Sequence, residues 1–173
     1  MMNNAYILEN YAREHGENDT VPAEIAAVIQ VYQDMLSGWN SRDALQMAAP
    51  FTEEGGLIGF DGSEVAGRSG IEAHLTPIFA HHKTPFYYCK VKAVKLLGPE
   101  TALLRSYAGL VPDGKNELDP NLNAHHTMVA VKRDGRWRIE HFQNTPAQFH
   151  MEPDRARQMT EELSQLVEEN ATK

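Results

Sequence analysis

The stretch AHHTMVAVKRDGRWRIEHFQNTP, running from Ala124 to Pro146, decides how this chain is read. Two runs rich in Val, Thr, Trp, Ile and Phe flank Asp134-Gly135, and glycine takes the positive φ of a tight hairpin turn without steric penalty. A two-residue loop sets Arg133 opposite Arg136 and gives every cross-strand pair the same positional sum. Side chains alternate along a strand, so parity sorts the hairpin into two faces. One face carries Trp137, Ile139, His141 and Gln143 with Ala130, Met128 and His126. The other carries Arg138, Glu140, Phe142 and Asn144 with Val131, Val129 and Thr127. The first face is apolar near the turn and polar at its far end, the gradient of a closed pocket with a few polar groups at depth or at its mouth. A core histidine with its hydrogen bonds satisfied gives the same pattern, and a loop with a bulge changes the pairing.

The 173 residues fit one domain with extensions at its ends. A formal net charge of -8 argues against nucleic acid or an anionic membrane surface as the main partner. Cys89 is the lone cysteine, which excludes an internal disulfide and suits a reducing cytoplasm. Met1 to Glu14 contains no basic segment followed by an apolar core, and no later run approaches the length of a membrane span. The expectation is a soluble, cytoplasmic protein.

Residues 1–21 read as an N-terminal extension in which Tyr6, Ile7, Leu8 and Tyr11 form a short apolar stripe, ended by His15-Gly16-Glu17-Asn18-Asp19. A long helix follows from Pro22, with Ile25, Val28, Ile29, Tyr32, Met35, Leu36 and Trp39 on one face. Gly38 and Asn40-Ser41-Arg42-Asp43 break it before a short helix to Ala49. Phe51 to Phe60 is a first strand interrupted by Gly55-Gly56 and closed by Asp61-Gly62. Gly67 to Glu72 opens another helix, with Ser69 and Glu72 as a capping box and Ile71, Leu75, Ile78 and Phe79 as its stripe. Pro77 removes one of its backbone donors, and the helix ends near His81-His82-Lys83. Strands from Phe86 to Leu97 and from Thr101 to Val111 lead through a polar loop, Pro112 to Leu122, into the hairpin. Residues 150–173 form a C-terminal extension whose acidic helix, Pro153 to Asn170, buries Met159, Leu163, Leu166 and Val167. The order gives an α+β fold: one strongly curved antiparallel sheet wrapped around the N-terminal helices, with an additional C-terminal helix.

The run Tyr32 to Asp43, then Phe51 to Gly55, Gly67-Arg68, Ile71, Asp134 to Ile139 and Phe142-Gln143-Asn144-Thr145-Pro146 resembles the nuclear transport factor 2-like superfamily. Within it these residues look most like the SgcJ/EcaC group beside the SnoaL-like polyketide cyclases, over residues 22–149. The resemblance implies a cone formed by the sheet, the long helix across it, and a homodimer built on the outer sheet face. It implies a pocket for an apolar, carbonyl-bearing small molecule, polyketide- or steroid-like. Tyr32 and Trp39 would bind it with Gln143, and with Asn144 at the rim. His141 and His126 would be the catalytic pair, since a neutral imidazole both donates and accepts a proton near pH 7.

Departures from the superfamily's better-understood members limit that carry-over. The base carboxylate of ketosteroid isomerase-like proteins falls at Ile58 or Gly59, Asp61 follows too close to a turn, and their tyrosine falls near Met35, so their mechanism is not transferred. The iota-class carbonic anhydrases carry a histidine-rich run ending in two serines. Here His141-Phe142-Gln143-Asn144-Thr145 keeps one histidine, which counts against that activity. Of the eight histidines, His81-His82 diverge on a helix and His125-His126 point to opposite faces of a strand. His126, His141 and a carboxylate are the remaining combination for a metal, with no H-E-x-x-H or C-x-x-C spacing to support it. No dinucleotide or phosphate-binding motif is present, so neither a metal nor a cofactor is expected. An enzyme, a non-catalytic ligand carrier and an association domain filled by its own side chains remain the three functional classes.

Overall fold

Helix α2 (Ala23–Asn40) is the long helix that begins after Pro22, and Val28, Ile29, Tyr32, Met35 and Leu36 on its apolar face are each 2 % exposed or less. It lies on the inner face of a curved, open, six-stranded sheet of order β2-β1-β6-β5-β4-β3. The strands are β1 (Phe51–Ile58), β2 (Glu64–Ala66), β3 (Phe86–Gly98), β4 (Thr101–Val111), β5 (Ala124–Arg133) and β6 (Arg136–Pro146). The described residues form four further α-helices, α1 (Tyr6–His15), α3 (Ala44–Ala48), α4 (Arg68–His81) and α5 (Pro153–Ala171), and a short 3-10 helix at Pro120–Leu122. This computed structural model describes residues 4–171.

The sheet is mixed rather than antiparallel, because β1 runs parallel to β6 while all other pairs are antiparallel. Side-chain alternation is the same in both arrangements, so the pattern of a strand does not reveal the direction of its neighbour. The short β2 strand is likewise not marked by any alternation. The expected capping box is absent: α4 starts at Arg68 behind Gly67, whose φ of 78° makes the turn, and no side chain caps it. Ser69 and Glu72 therefore lie inside the first turns of α4, which continues through Pro77 to His81.

The hairpin turn forms as its sequence dictates. Asp134 and Gly135 both take positive φ, and Arg133 faces Arg136. The constant sum holds through Ala130–Ile139, after which Val129 pairs with His141. Glu140 is left over as a bulge, and every later residue of β6 changes face. The strand beside it is irregular at the same level: β1 shifts register between Phe51 and Gly56, and a Cβ on Gly55 would come within 2.7 Å of the Ile139 carbonyl oxygen.

The open edge of β3 is closed by side chains. Tyr87 N donates to Asn40 Oδ1 at 2.8 Å, Asn40 Nδ2 returns a bond to the Tyr87 carbonyl, and Cys89 N donates to Tyr6 Oη at 2.9 Å. These contacts occupy backbone groups that would otherwise offer a pairing edge. Tyr6 and Ile7 of α1 thus belong to the common core. Helix α5 packs on the outer face, where Leu163 approaches Gly109 and Glu162 bonds Lys92 and pairs with Lys90.

Candidate functional site

Between α2, α4 and the inner face of the sheet lies a cavity of about 230 Å³. Its walls are apolar, with Met35 and Leu36 from α2, Leu57 from β1, Leu75 and Ile78 from α4, and Phe142 from β6. Trp39, one turn beyond Met35, lines it too; its Nε1 donates to the Pro85 carbonyl at 2.8 Å, and its ring meets Phe79 and Tyr87 edgewise or tilted. The bond and the two ring contacts fix the indole as a wall.

The inner end of the cavity holds the polar pair Tyr87 and Asn144. Asn144 Nδ2 donates to Tyr87 Oη at 2.8 Å, and both side chains are buried. Among the described residues Asn144 Oδ1 has no partner. Burial raises the pKa of the Tyr87 hydroxyl, so it stays protonated at any physiological pH. At the solvent side stand Asp61, Ser63 and His74. Ser63, through both its hydroxyl and its backbone N–H, holds Asp61 below the usual carboxylate range, and His74 adds a smaller electrostatic contribution.

The bulge at Glu140 decides which expected residues reach this cavity. Asn144 and Phe142 turn inward with His126 and Met128, while His141 and Gln143 turn to the outer face with Val129 and Thr127. The expected inward placement of His141 and Gln143 is therefore corrected. His141 Nε2 lies 3.5 Å from Gln143 Oε1, and its Nδ1 sits over Gly56, outside the cavity wall. Neither residue lines the pocket. His126 and His141 project to opposite sides of the sheet, which also rules out their sharing a metal. Among the described residues no group of three or more His, Cys, Asp or Glu is placed to hold one.

Tyr32 and His126 do come together, one layer deeper than the cavity lining. Tyr32 Oη lies 2.7 Å from His126 Nδ1, and both residues are fully buried. The His126 ring stands edge-on to Tyr87 and Phe142, the two cavity residues that separate it from the opening, and its Nε2 has no partner among the described residues. Burial, and next the neighbouring His125, pushes the His126 pKa down to about 3. Burial followed by Cys89 pushes the Tyr32 pKa well up, and burial pushes the Cys89 thiol to about 12. This is a neutral hydrogen-bonded core cluster and not a proton relay working near pH 7.

Sequence reasoning missed Tyr87, Ser63 and His74 and set Asp61 aside. A signal for His74 exists: it follows Ile71 by three residues and precedes Ile78 by four, so it stands on the side of α4 that borders the cavity mouth, although it is itself exposed. Tyr87 carries no such signal, because its role depends on which strand lies across from it.

The chain matches the SnoaL-like domain family over residues 22–143. A comparison with curated proteins gives no match. Among solved structures it is similar to a domain of unknown function with a cystatin-like fold from Nostoc punctiforme, at 25% identity and a TM-score of 0.69 over 86% of this chain and 99% of that one. It is similar in fold to an NTF-2-like protein of unknown function from Shewanella oneidensis (17% identity, TM-score 0.58, 69% of this chain and 97% of the other). A ketosteroid isomerase-like protein from Erwinia carotovora gives 16% identity and a TM-score of 0.58 over 74% of this chain and 99% of its own. With the curved sheet, the helix across it and a family match spanning most of the chain, this protein belongs to the SnoaL-like domain family of the nuclear transport factor 2-like superfamily.

Proposed function

We propose that the cone binds a small apolar molecule bearing a carbonyl or its enol, on a skeleton of one or two fused rings of the polyketide type. The cavity carries this reading: about 230 Å³ of space with apolar walls and polar groups confined to its inner end and rim. An apolar cavity of roughly 150 Å³ already accommodates benzene. A domain serving association alone would fill its cone with side chains, and a four-ring steroid would protrude through the mouth. The fold by itself does not choose among chemistries.

Conversion in the same pocket is a second reading, and Asp61 favours it. Its carboxylate, ionised at neutral pH as an ordinary aspartate is and made a weaker base by its hydrogen bonds from Ser63, lines the cavity beside His74 and is a group able to take a proton from the carbon next to a bound carbonyl. His126 and His141 are not given that role, the first being neutral and sealed and the second lying on the far side of the sheet. We also propose that two copies meet on the part of the outer sheet face that α5 leaves open.

Titration with 1-indanone, followed by the fluorescence of Trp39 in a Trp137→Phe background, tests the binding reading. Saturable quenching that is lost on filling the cavity with Leu57→Phe is expected; a linear response both to 1-indanone and to its hydroxyl counterpart indan-4-ol would end the reading. Deuterium exchange at the carbon next to the ketone then separates enzyme from carrier. Exchange at least tenfold above buffer that Asp61→Asn abolishes supports proton transfer, whereas exchange equal to buffer leaves carriage.

A further inference from the structure

The inner end of the cavity contains unused donors beside one unused acceptor. Asn144 Nδ2 spends one of its two N–H groups on Tyr87 Oη at 2.8 Å, so the phenolic oxygen accepts and its own hydrogen has no acceptor among the described residues. Asn144 Oδ1 is buried without a donor among them. Both side chains line the apolar cavity, Asn144 at 6 % and Tyr87 at 7 % exposure. A buried polar group without a partner costs free energy that a matching ligand recovers.

A ketone has lone pairs only: it satisfies the Tyr87 hydroxyl and leaves Asn144 Oδ1 stranded. A hydroxyl satisfies both, accepting from Tyr87 and donating to Asn144. We propose that the pocket selects the hydroxyl form of its ligand, a phenol or an enol, with Tyr87 and Asn144 as a donor and acceptor pair that reads this one group. This rests on the binding reading above and narrows it. A site whose buried polar groups need a hydroxyl discriminates against analogues lacking one far better than an apolar wall discriminates by size.

The test uses three ligands on one two-ring skeleton, indan-4-ol, 1-indanone and indane, with dissociation constants measured on the full chain by calorimetry. Indan-4-ol is expected to bind at least tenfold more tightly than both others. Tyr87→Phe, which removes a single oxygen, is expected to bring indan-4-ol to within threefold of indane, and Asn144→Leu to do the same; near-UV circular dichroism confirms that each variant is folded. Equal affinities for all three compounds would overturn the hydroxyl preference while leaving the binding reading intact, as would tighter binding of 1-indanone. Binding of none of them by the folded wild-type protein would remove both.

Discussion

His126 illustrates how much a single buried group commits a protein to a pH range. Its imidazole has a pKa of about 3 in the folded chain, against about 6.5 when unfolded. Between those values the unfolded chain binds more protons than the folded one, so stability rises with pH through that window and is level above it. Acidification from pH 6.5 to pH 4.5 therefore removes on the order of 3 kcal/mol, at about 1.4 kcal/mol per pH unit. Tyr32, Tyr87 and Phe142 around the ring carry no charge that would offset this. His126→Gln keeps a partner for Tyr32 and removes the titration, so its urea midpoint should fall less steeply than wild type over that interval. Parallel slopes would contradict the assignment. The residue types of the site were legible in the sequence: Trp39, His126 and Asn144 were all singled out there. The inward face of β6 was not, because one unpaired residue, Glu140, inverts the parity of everything after it. The Gly55-Gly56 pair that marks the irregularity sits in β1, and nothing local says that β1 lies beside β6.

At the scale of elements, Gly38 shows what a break signal can conceal. The sequence places it near the end of the long helix, which closes at Asn40 as its break signal indicates, and Gly38 is also the point at which α3 crosses. A Cβ there would lie 2.2 Å from Met47 N, a backbone atom that cannot rotate away. Gly38→Ala should destabilise by about 3 kcal/mol in urea unfolding despite alanine's better helix propensity, since overpacking against backbone outweighs it. Gly56→Ala, whose Cβ would meet nothing closer than His141 Nδ1 at 3.6 Å, should stay within about 1 kcal/mol of wild type. Equal costs at the two positions would refute the close approach. Removing Glu140 altogether would set His141 directly after Ile139 and still opposite Val129, so Phe142 and Asn144 would keep their places on the inner face. We expect that deletion to keep the near-UV signal and ligand binding; loss of both would mean that Glu140 is not merely an unpaired residue between two regular stretches. Helices and strands were legible because periodicities of 3.6 and 2 are local properties. Strand direction and β2 were not, being properties of neighbours distant in sequence.

The whole molecule is the family's domain with both ends folded back onto it. The family match ends at residue 143, yet α1 and α5 bury side chains in the common core. Helix α5 covers the outer face of β3 and β4 through Met159, Leu163, Leu166 and Val167, all buried. That face is where a second copy would sit by resemblance, so α5 confines any dimer to the β1, β6 and β5 side. Truncation after Glu152 should uncover the β3–β4 face, at roughly 1.5 kcal/mol or more per apolar side chain lost. Sedimentation should then report larger assemblies than the intact chain forms, together with a lower unfolding midpoint. A truncated chain as stable and as monodisperse as the intact one would show that α5 is dispensable. Amphipathic spacing made α5 legible as a helix, but the surface that it covers follows from the three-dimensional course of β3 and β4.

The central claim is that ligand meets the face carrying Trp39 and Asn144 and not the face carrying His141 and Gln143. Side-chain amide and indole N–H resonances, followed by NMR during titration with indan-4-ol, test it most directly. The account predicts saturable shifts of the Trp39 indole and the Asn144 amide with the Gln143 amide unmoved. Movement of Gln143 with Asn144 and Trp39 unchanged would contradict it.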